Sequence, residues 1–187
     1  MKKKELLTRA LEINEKHFGK DHPQTGATLA NLGKVLGDLG DYQQQINFLT
    51  RALEITENHF GSDHPKTGII ITNLGNAWEP FGDYEKQKNY LTRALEINEK
   101  HYGRDHPSTG IIFNNRGHAW SKLENYEKSK ALLTEALKIN EVYFGKTHPQ
   151  TGATLARLGN AYGGLGEYEK RKNLLIRALE IEEKYYD

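Results

Sequence analysis

The sequence predicts an all-α protein, an α-solenoid of antiparallel helix pairs with about nine helices. Three observations carry that expectation. His-Pro pairs stand at His22, His64, His106 and His148, a period of 42 residues without drift, and a fixed period of this length marks an array of stacked units. After each pair, apolar residues recur three and four apart, which is one face of a helix. Glycines punctuate the pattern at Gly40, Gly61, Gly82, Gly103, Gly145 and Gly166, where left-handed backbone stops a helix.

Residues 1–21 match the second half of a unit. Leu7, Ala10, Leu11 and Phe18 fall at helical spacing, and the segment parallels the stretch from Leu91 to Gly103. Met1 takes the register of Glu85, so the chain opens inside a unit, either as an excerpt of a longer array or as a half-unit serving as a cap. Full units follow at 22–63, 64–105, 106–147 and 148–187, all expected in one solenoid domain. The first two are identical at 23 of 42 positions and must share a local structure.

Each unit opens a first helix at His-Pro. Proline suits the first helical position because its missing N–H is unpaired there anyway. The histidine before it is pushed to extended angles, as a cap residue should be. The apolar stripe reads Leu29, Leu32, Leu36 and Leu39 in the first unit, and Ile71, Leu74, Trp78 and Phe81 in the second. Pro80, the only proline outside the His-Pro pairs, shortens or kinks the last turn of its helix.

Asp41, Asp83 and Asn125 then cap a second helix, and Glu167 suits its positive end. That helix runs from Tyr42, Tyr84, Tyr126 or Tyr168 for about 18 residues, roughly 27 Å. Its stripe in the first unit is Tyr42, Leu49, Ala52, Leu53 and Phe60. Short connections make each helix antiparallel to the one before. Gly33, Gly75, Gly117 and Gly159 fall in mid-helix, where glycine costs about 1 kcal/mol relative to alanine. A facing helix too close for a side chain explains them.

Leu155-x2-Leu158-Gly159-x2-Tyr162, followed by Leu175 and Ala178, resembles the tetratricopeptide signature. The unit is longer than the usual repeat of about 34 residues, and Glu57, Glu99, Glu141 and Glu183 stand where the family has its terminating proline. With its Ala-Leu-Glu-Ile-x-Glu and Gly-x-Asp-His-Pro-x-Thr runs, this form is similar to the kinesin light chain and nephrocystin type of repeat. It is also similar to near-identical tandem arrays of the same period. The resemblance covers the whole chain and implies a right-handed superhelix. First helices would line a concave groove, and second helices would form the convex back.

Gln45, Gln87, Ser129 and Arg171 depart from the family, which has a small alanine early in the second helix. Their side chains are expected either to bend into water or to leave looser packing. In the third unit Arg116 replaces a leucine and Glu135 replaces an arginine. Either the two pair between helices, sparing a lone buried charge, or Arg116 reaches out to solvent.

Composition excludes several functional classes. Lysine and arginine (26) nearly balance aspartate and glutamate (25), and a net charge of +1 gives no general pull toward nucleic acid or anionic membrane. A hydrophobic share of 36% and a mean hydropathy of −0.77 suit a thin, elongated helical protein. With no cysteine, disulfides and thiolate metal sites are excluded and a reducing compartment is compatible. Met1-Lys-Lys-Lys4 is followed by an amphipathic segment, so no export signal is expected. No run approaches the roughly 20 apolar residues of a membrane span. A cytoplasmic protein with no membrane or nucleic-acid partner is expected.

No enzyme, cofactor or metal is expected either. The chain offers no Ser–His–Asp set, carboxylate pair or phosphate-cradling glycine run. The pairs His17 and His22, His59 and His64, and His101 and His106 straddle a glycine turn, which reads as a cap histidine beside a surface one rather than as ligands.

The candidate site lies on first helices, off the apolar stripe. Asn31, Asn73 and Asn115 recur at the period, with Arg157 in the fourth unit, and one turn on lie Lys34, Asn76, His118 and Asn160. An amide both donates and accepts, so an asparagine ladder suits an extended peptide backbone. The kinesin light chain resemblance implies that use. In the competing reading each asparagine bonds a neighbouring helix. Asn76, Asn115 and Arg157 also coincide with part of the carboxylate clamp of chaperone-binding repeats. Thr72 and Ala153 stand where its lysines belong, so no clamp is expected. Ile69, Ile70, Ile111, Ile112 and Phe113 provide a hydrophobic anchor wherever they are left exposed.

The expected function is therefore a scaffold binding a peptide or partner helix in its concave groove. The alternative is self-association into a homo-oligomer through uncapped terminal helices, where Leu6, Leu7 and Leu11 and Ile176, Leu179 and Ile181 keep the interior pattern. A dimer, a fibre or an exchange of helices would each satisfy it.

Overall fold

A computed structural model describes residues 2–186; Met1 and Asp187, the outer ends of the expected first and last segments, lie outside the described residues. Nine α-helices and one short 3₁₀ turn make up the described chain. The chain divides into two compact units, Met1–Ile97 and Asn98–Asp187. The first holds α1 (Lys2–Phe18), α2 (Pro23–Asp38), α3 (Tyr42–Phe60), α4 (Pro65–Asn76), the 3₁₀ turn Glu79–Phe81 and most of α5 (Tyr84–Tyr102). The second holds the end of α5, then α6 (Pro107–Lys122), α7 (Tyr126–Tyr143), α8 (Pro149–Gly164) and α9 (Tyr168–Tyr186).

The segment around each His-Pro pair is built to one plan. Its histidine is extended, at φ −76° and ψ 143° for His22, as steric pressure from the proline demands. The imidazole Nδ1 then accepts the backbone N–H two residues on, at 3.1 Å from Gln24, 3.2 Å from Lys66, 3.2 Å from Ser108 and 3.1 Å from Gln150. Each such cap is worth about 1 kcal/mol. The ring also stacks on the aromatic that ends the preceding helix, with Phe18 and His22 centroids 4.8 Å apart and Phe144 and His148 4.9 Å apart. Next, the buried hydroxyls of Thr25, Thr67, Thr109 and Thr151 donate to the carbonyls of Gly19, Gly61, Gly103 and Gly145, at 2.8, 2.8, 2.9 and 2.8 Å. Aromatic, glycine turn, histidine and threonine thus tie the last residues of a second helix to the start of the first helix that follows.

Within a repeat the turn is also repeated. Gly40, Gly82 and Gly166 are left-handed, and Glu124 takes the same conformation at φ 58° in the third repeat. Asp41, Asp83 and Asn125 accept N–H bonds from Gln44, Lys86 and Lys128 at 3.3, 3.1 and 3.2 Å. Pro80 acts as expected: α4 ends at Asn76 and the chain continues through the 3₁₀ turn.

The core runs along the facing stripes. Leu29, Leu32, Leu36, Leu49, Ala52, Ile71 and Leu74 are buried in the first unit, and Ile112, Phe113, Leu133, Ala136, Leu155 and Leu158 in the second. Four expected stripe members are not core: Phe18 at the end of α1 and Tyr42 at the start of α3 are exposed, and so are two residues beyond the helix ends. Leu39 and Phe81 are 51% and 49% exposed, because each lies past the last α-helical residue, where the stripe has already turned away. The mid-helix glycines do mark close approach: a Cβ on Gly117 would lie 2.7 Å from Leu133 Cγ.

The polar residues early in the second helices find a third solution. Gln87 and Ser129 are fully buried, and Gln87 Nε2 donates to Glu79 Oε2 at 3.3 Å. Gln45 lies against Gly37, where a Cβ would fall 2.5 Å from its Nε2, and Arg171 lies against Gly163. A long side chain on one helix is thus accommodated by a missing one on the other, while Arg171 also stays exposed to water, as one of the two expectations had it.

Successive second helices are tied by ion pairs: Arg51 to Glu15 at 2.6 Å, Arg93 to Glu57, and Arg177 to Glu141 at 3.0 Å. Glu135 interrupts the series, and the structure gives it a neighbour the sequence had not pointed to. Arg104 lies 2.9 Å from Glu99 and 3.8 Å from Glu135, with its guanidinium 4.9 Å from the Phe113 ring centre. One arginine in the turn replaces the one missing from the helix. Arg116 is half-buried on α6. Such partly exposed pairs contribute about 0–1 kcal/mol each, so they tune the stacking rather than create it.

Candidate functional site

The eight candidate residues all lie on first helices, and the two units treat them differently. In the first unit Asn31 and Lys34 are exposed on α2, while Asn73 and Asn76 are half-buried on α4. Asn31 borders a recess of about 440 Å³. Its walls come from α2 (Pro23, Ala27, Ala30), the end of α3 (Thr56, Phe60) and α4 (Lys66, Ile69, Ile70). Lys34, Asn73 and Asn76 do not line it.

The isoleucine pairs resolve cleanly. Ile70, Ile112 and Phe113 are core, whereas Ile69 is 56% and Ile111 39% exposed. The split follows from helical geometry: adjacent residues point about 100° apart, so only one of each pair can face the second helix. Ile69 gives the recess an apolar wall.

In the second unit three candidates converge. His118, Arg157 and Asn160 line one cavity of about 370 Å³, together with Ser121, Lys122, Glu124 and Tyr126. The fourth, Asn115, is linked to it. Its Oδ1 accepts from Arg157 Nη1 at 3.0 Å, and Asn114 Oδ1 lies 3.4 Å from the same nitrogen. The guanidinium is thereby steadied across two neighbouring first helices. Of the three asparagines of the ladder, Asn115 thus bonds a neighbouring first helix.

Sequence reasoning missed Asn114 and the cavity-lining Lys122 and Glu124. Asn114 is buried, at 2% exposure, at a position held by alanine or threonine in the other repeats (Ala30, Thr72, Ala156); that departure was the available signal. Lys122 and Glu124 belong to a helix end that no stripe pattern singles out.

Chemically the cavity offers a guanidinium, an ammonium, amide and hydroxyl groups, and one carboxylate. These are groups that hydrogen-bond and pair with charge. Among the described residues no cluster of three His, Cys, Asp or Glu is placed to hold a metal ion, and no helix is long and apolar enough to cross a membrane.

Repeated helix pairs within each unit, with polar residues on their first helices, are what a repeat family would supply, and comparison with known families agrees. A tetratricopeptide repeat profile matches residues 4–58 and 112–184, and a second tetratricopeptide repeat profile matches residues 67–108. The chain belongs to the tetratricopeptide repeat family. Among solved structures this tetratricopeptide array is similar to BtubC (BKLC) from P. vanneervenii, with a TM-score of 0.84 at 20% identity over 97% of this chain and 72% of that one. It is similar also to a putative kinesin light chain from Podosopora anserina with nearly identical TPR-like repeats, at 0.79 and 22% identity over 98% and 86%. MamA matches at 0.67 and 18% identity, over 95% and 88%. At these identities the likeness is one of fold. No curated protein matches the sequence.

Proposed function

We propose that this tetratricopeptide array is a non-enzymatic scaffold that holds a peptide or partner helix against the exposed faces of its first helices. The observation that carries the reading is the steadied Arg157 beside His118, Lys122 and Asn160 in one open cavity. A guanidinium already held in place loses little freedom when a carboxylate arrives, and planar pairing with a carboxylate is what it does best. The second unit therefore selects an acidic side chain of the ligand. In the first unit the recess beside Ile69 and Asn31 suits an aliphatic side chain, with amide groups at its edge for the ligand's backbone. Cytoplasmic placement fits the cysteine-free composition.

The test starts from a displayed random-peptide library selected on the chain. Selected peptides are expected to be acidic. Their affinity, read by fluorescence anisotropy, should fall about tenfold or more in Arg157→Ala and measurably in Asn115→Ala. The thermal unfolding curve serves as a control for folding. Peptides that bind all variants equally would remove the first helices as the site.

A further inference from the structure

We propose that the outer stripe of α7, formed by Ala131, Thr134, Lys138 and Val142, docks a helix of a partner protein that carries one acidic residue between two large apolar ones. The inference uses no residue of the ligand site above. The four residues fall within an arc of about 80° on the helix. All are exposed, Val142 to 75%. This is not the exposure of a chain end, because α6 and α8 both pack on α7. The corresponding residues of α3, Asn47, Thr50, Glu54 and Asn58, are exposed as well.

On α7 alone, three of these positions break the repeat. Where α7 has Ala131, the other second helices have a polar residue: Glu5, Asn47, Asn89 and Asn173. Lys138 stands in place of an acid, at Glu12, Glu54, Glu96 and Glu180, and Val142 in place of Lys16, Asn58, Lys100 and Lys184. Glutamate four residues before lysine stabilises a helix; α7 gives up that spacing and exposes a valine, a poorer helix former than lysine. Packing accounts for neither residue. Val142 is mostly exposed, and Lys138 pairs with no carboxylate among the described residues, since Glu135 faces Arg104 and Glu141 faces Arg177. Local preferences set aside without an internal gain point to a use outside the chain.

Charge and backbone chemistry select the occupant. Glu127, at the start of the stripe, pairs with Lys130 at 2.7 Å, which leaves Lys138 as the uncompensated charge and calls for a carboxylate. Thr134 turns its hydroxyl back to the Lys130 carbonyl at 2.8 Å, so the stripe offers no second donor. An extended peptide would find few partners there for its backbone, whereas a helix satisfies its own N–H and C=O groups. Ala131 leaves room for a large side chain. Val142 gives apolar contact three turns on, roughly 16 Å away. An antiparallel helix with apolar residues at i and i+11 and an acid at i+4 meets Val142, Ala131 and Lys138 together.

One helix stripe is small against the roughly 1,200–2,000 Å² of a stable interface, so a weak Kd of roughly 0.1–1 mM is expected. The probe is an alanine- and glutamine-based helical peptide of about 20 residues, with leucine at i and i+11 and glutamate at i+4. Titrated to about 3 mM into the isotopically labelled whole chain, it should shift amides along α7 around Lys138 and Val142. Lys138→Glu should weaken binding about tenfold, and a peptide with lysine at i+4 should restore it. Val142→Lys should also weaken it about tenfold, with the unfolding midpoint unchanged or raised. Arg157→Ala should leave this affinity as it was, so the stripe and the ligand site stand or fall separately. No shift on α7 at the highest concentration, equal binding by Lys138→Glu, or no recovery with the lysine peptide would overturn the proposal. So would shifts at these residues on concentrating the chain alone, which would give the stripe to a second copy.

Discussion

Replacing glycine by alanine at one repeat position should have opposite signs in two repeats. In both Gly117→Ala and Gly159→Ala the helix gains about 1 kcal/mol from propensity. At Gly117 the new Cβ would lie 2.7 Å from Leu133 Cγ, 3.1 Å from its Cδ2 and 3.4 Å from the Ser129 carbonyl oxygen. Leu133 is fully buried and has nowhere to go, so overpacking of about 1–3 kcal/mol outweighs the gain. Gly117→Ala is therefore expected to destabilise by about 1 kcal/mol. At Gly159 the nearest atoms would be Leu175 Cγ at 3.3 Å and the Arg171 carbonyl oxygen at 3.4 Å. Leu175 is only half-buried and can shift by the few tenths of an ångström required. Gly159→Ala should stabilise by up to about 1 kcal/mol. Urea unfolding followed by far-ultraviolet circular dichroism reads both. Equal stabilisation by the two changes would refute the close-approach account of these glycines.

Three further outcomes follow from the turns. Thr109→Val removes the hydroxyl bonded to the Gly103 carbonyl and should cost about 1–2 kcal/mol in the same unfolding measurement. Glu124→Gly relieves a left-handed backbone at φ 58° and should stabilise by about 1 kcal/mol, visible as a raised melting temperature. The carboxyl of Asp83 is held below its usual range, chiefly by the Lys86 side chain and next by the Lys86 backbone N–H. A lowered folded value means that the stability it gives is complete above the unfolded value of about 3.9 and drains as pH falls through the folded one. Unfolding midpoints between about pH 2 and 7 should show that loss, and Asp83→Asn, which keeps a capping oxygen, should flatten it.

Much of this was legible in the sequence because it is local. The His-Pro pairs placed the starts of α2, α4, α6 and α8, and the glycines and Asp41, Asp83 and Asn125 placed the ends and caps, since each works through its own backbone angles or reaches three residues. The threonine of the Gly-x-Asp-His-Pro-x-Thr run was visible, but its bond to the glycine carbonyl was not, because that requires the turn to be closed. Pairs distant in sequence were the least legible. Arg104 beside Glu135, and Gln45 against Gly37, depend on how neighbouring helices slide along each other, which a stripe pattern does not record. The same holds at the site. The asparagine register was plain at Asn31, Asn73 and Asn115, yet only packing shows that Arg157 leans on Asn114 and Asn115.

The central claim is that recognition belongs to the first helices. It is tested most directly by amide chemical-shift mapping of the isotopically labelled chain with a selected acidic peptide. The account predicts shifts clustered on α6 and α8 around Asn115, His118, Arg157 and Asn160. Shifts concentrated on the outer residues of α3 or α7, with those four unmoved, would contradict it.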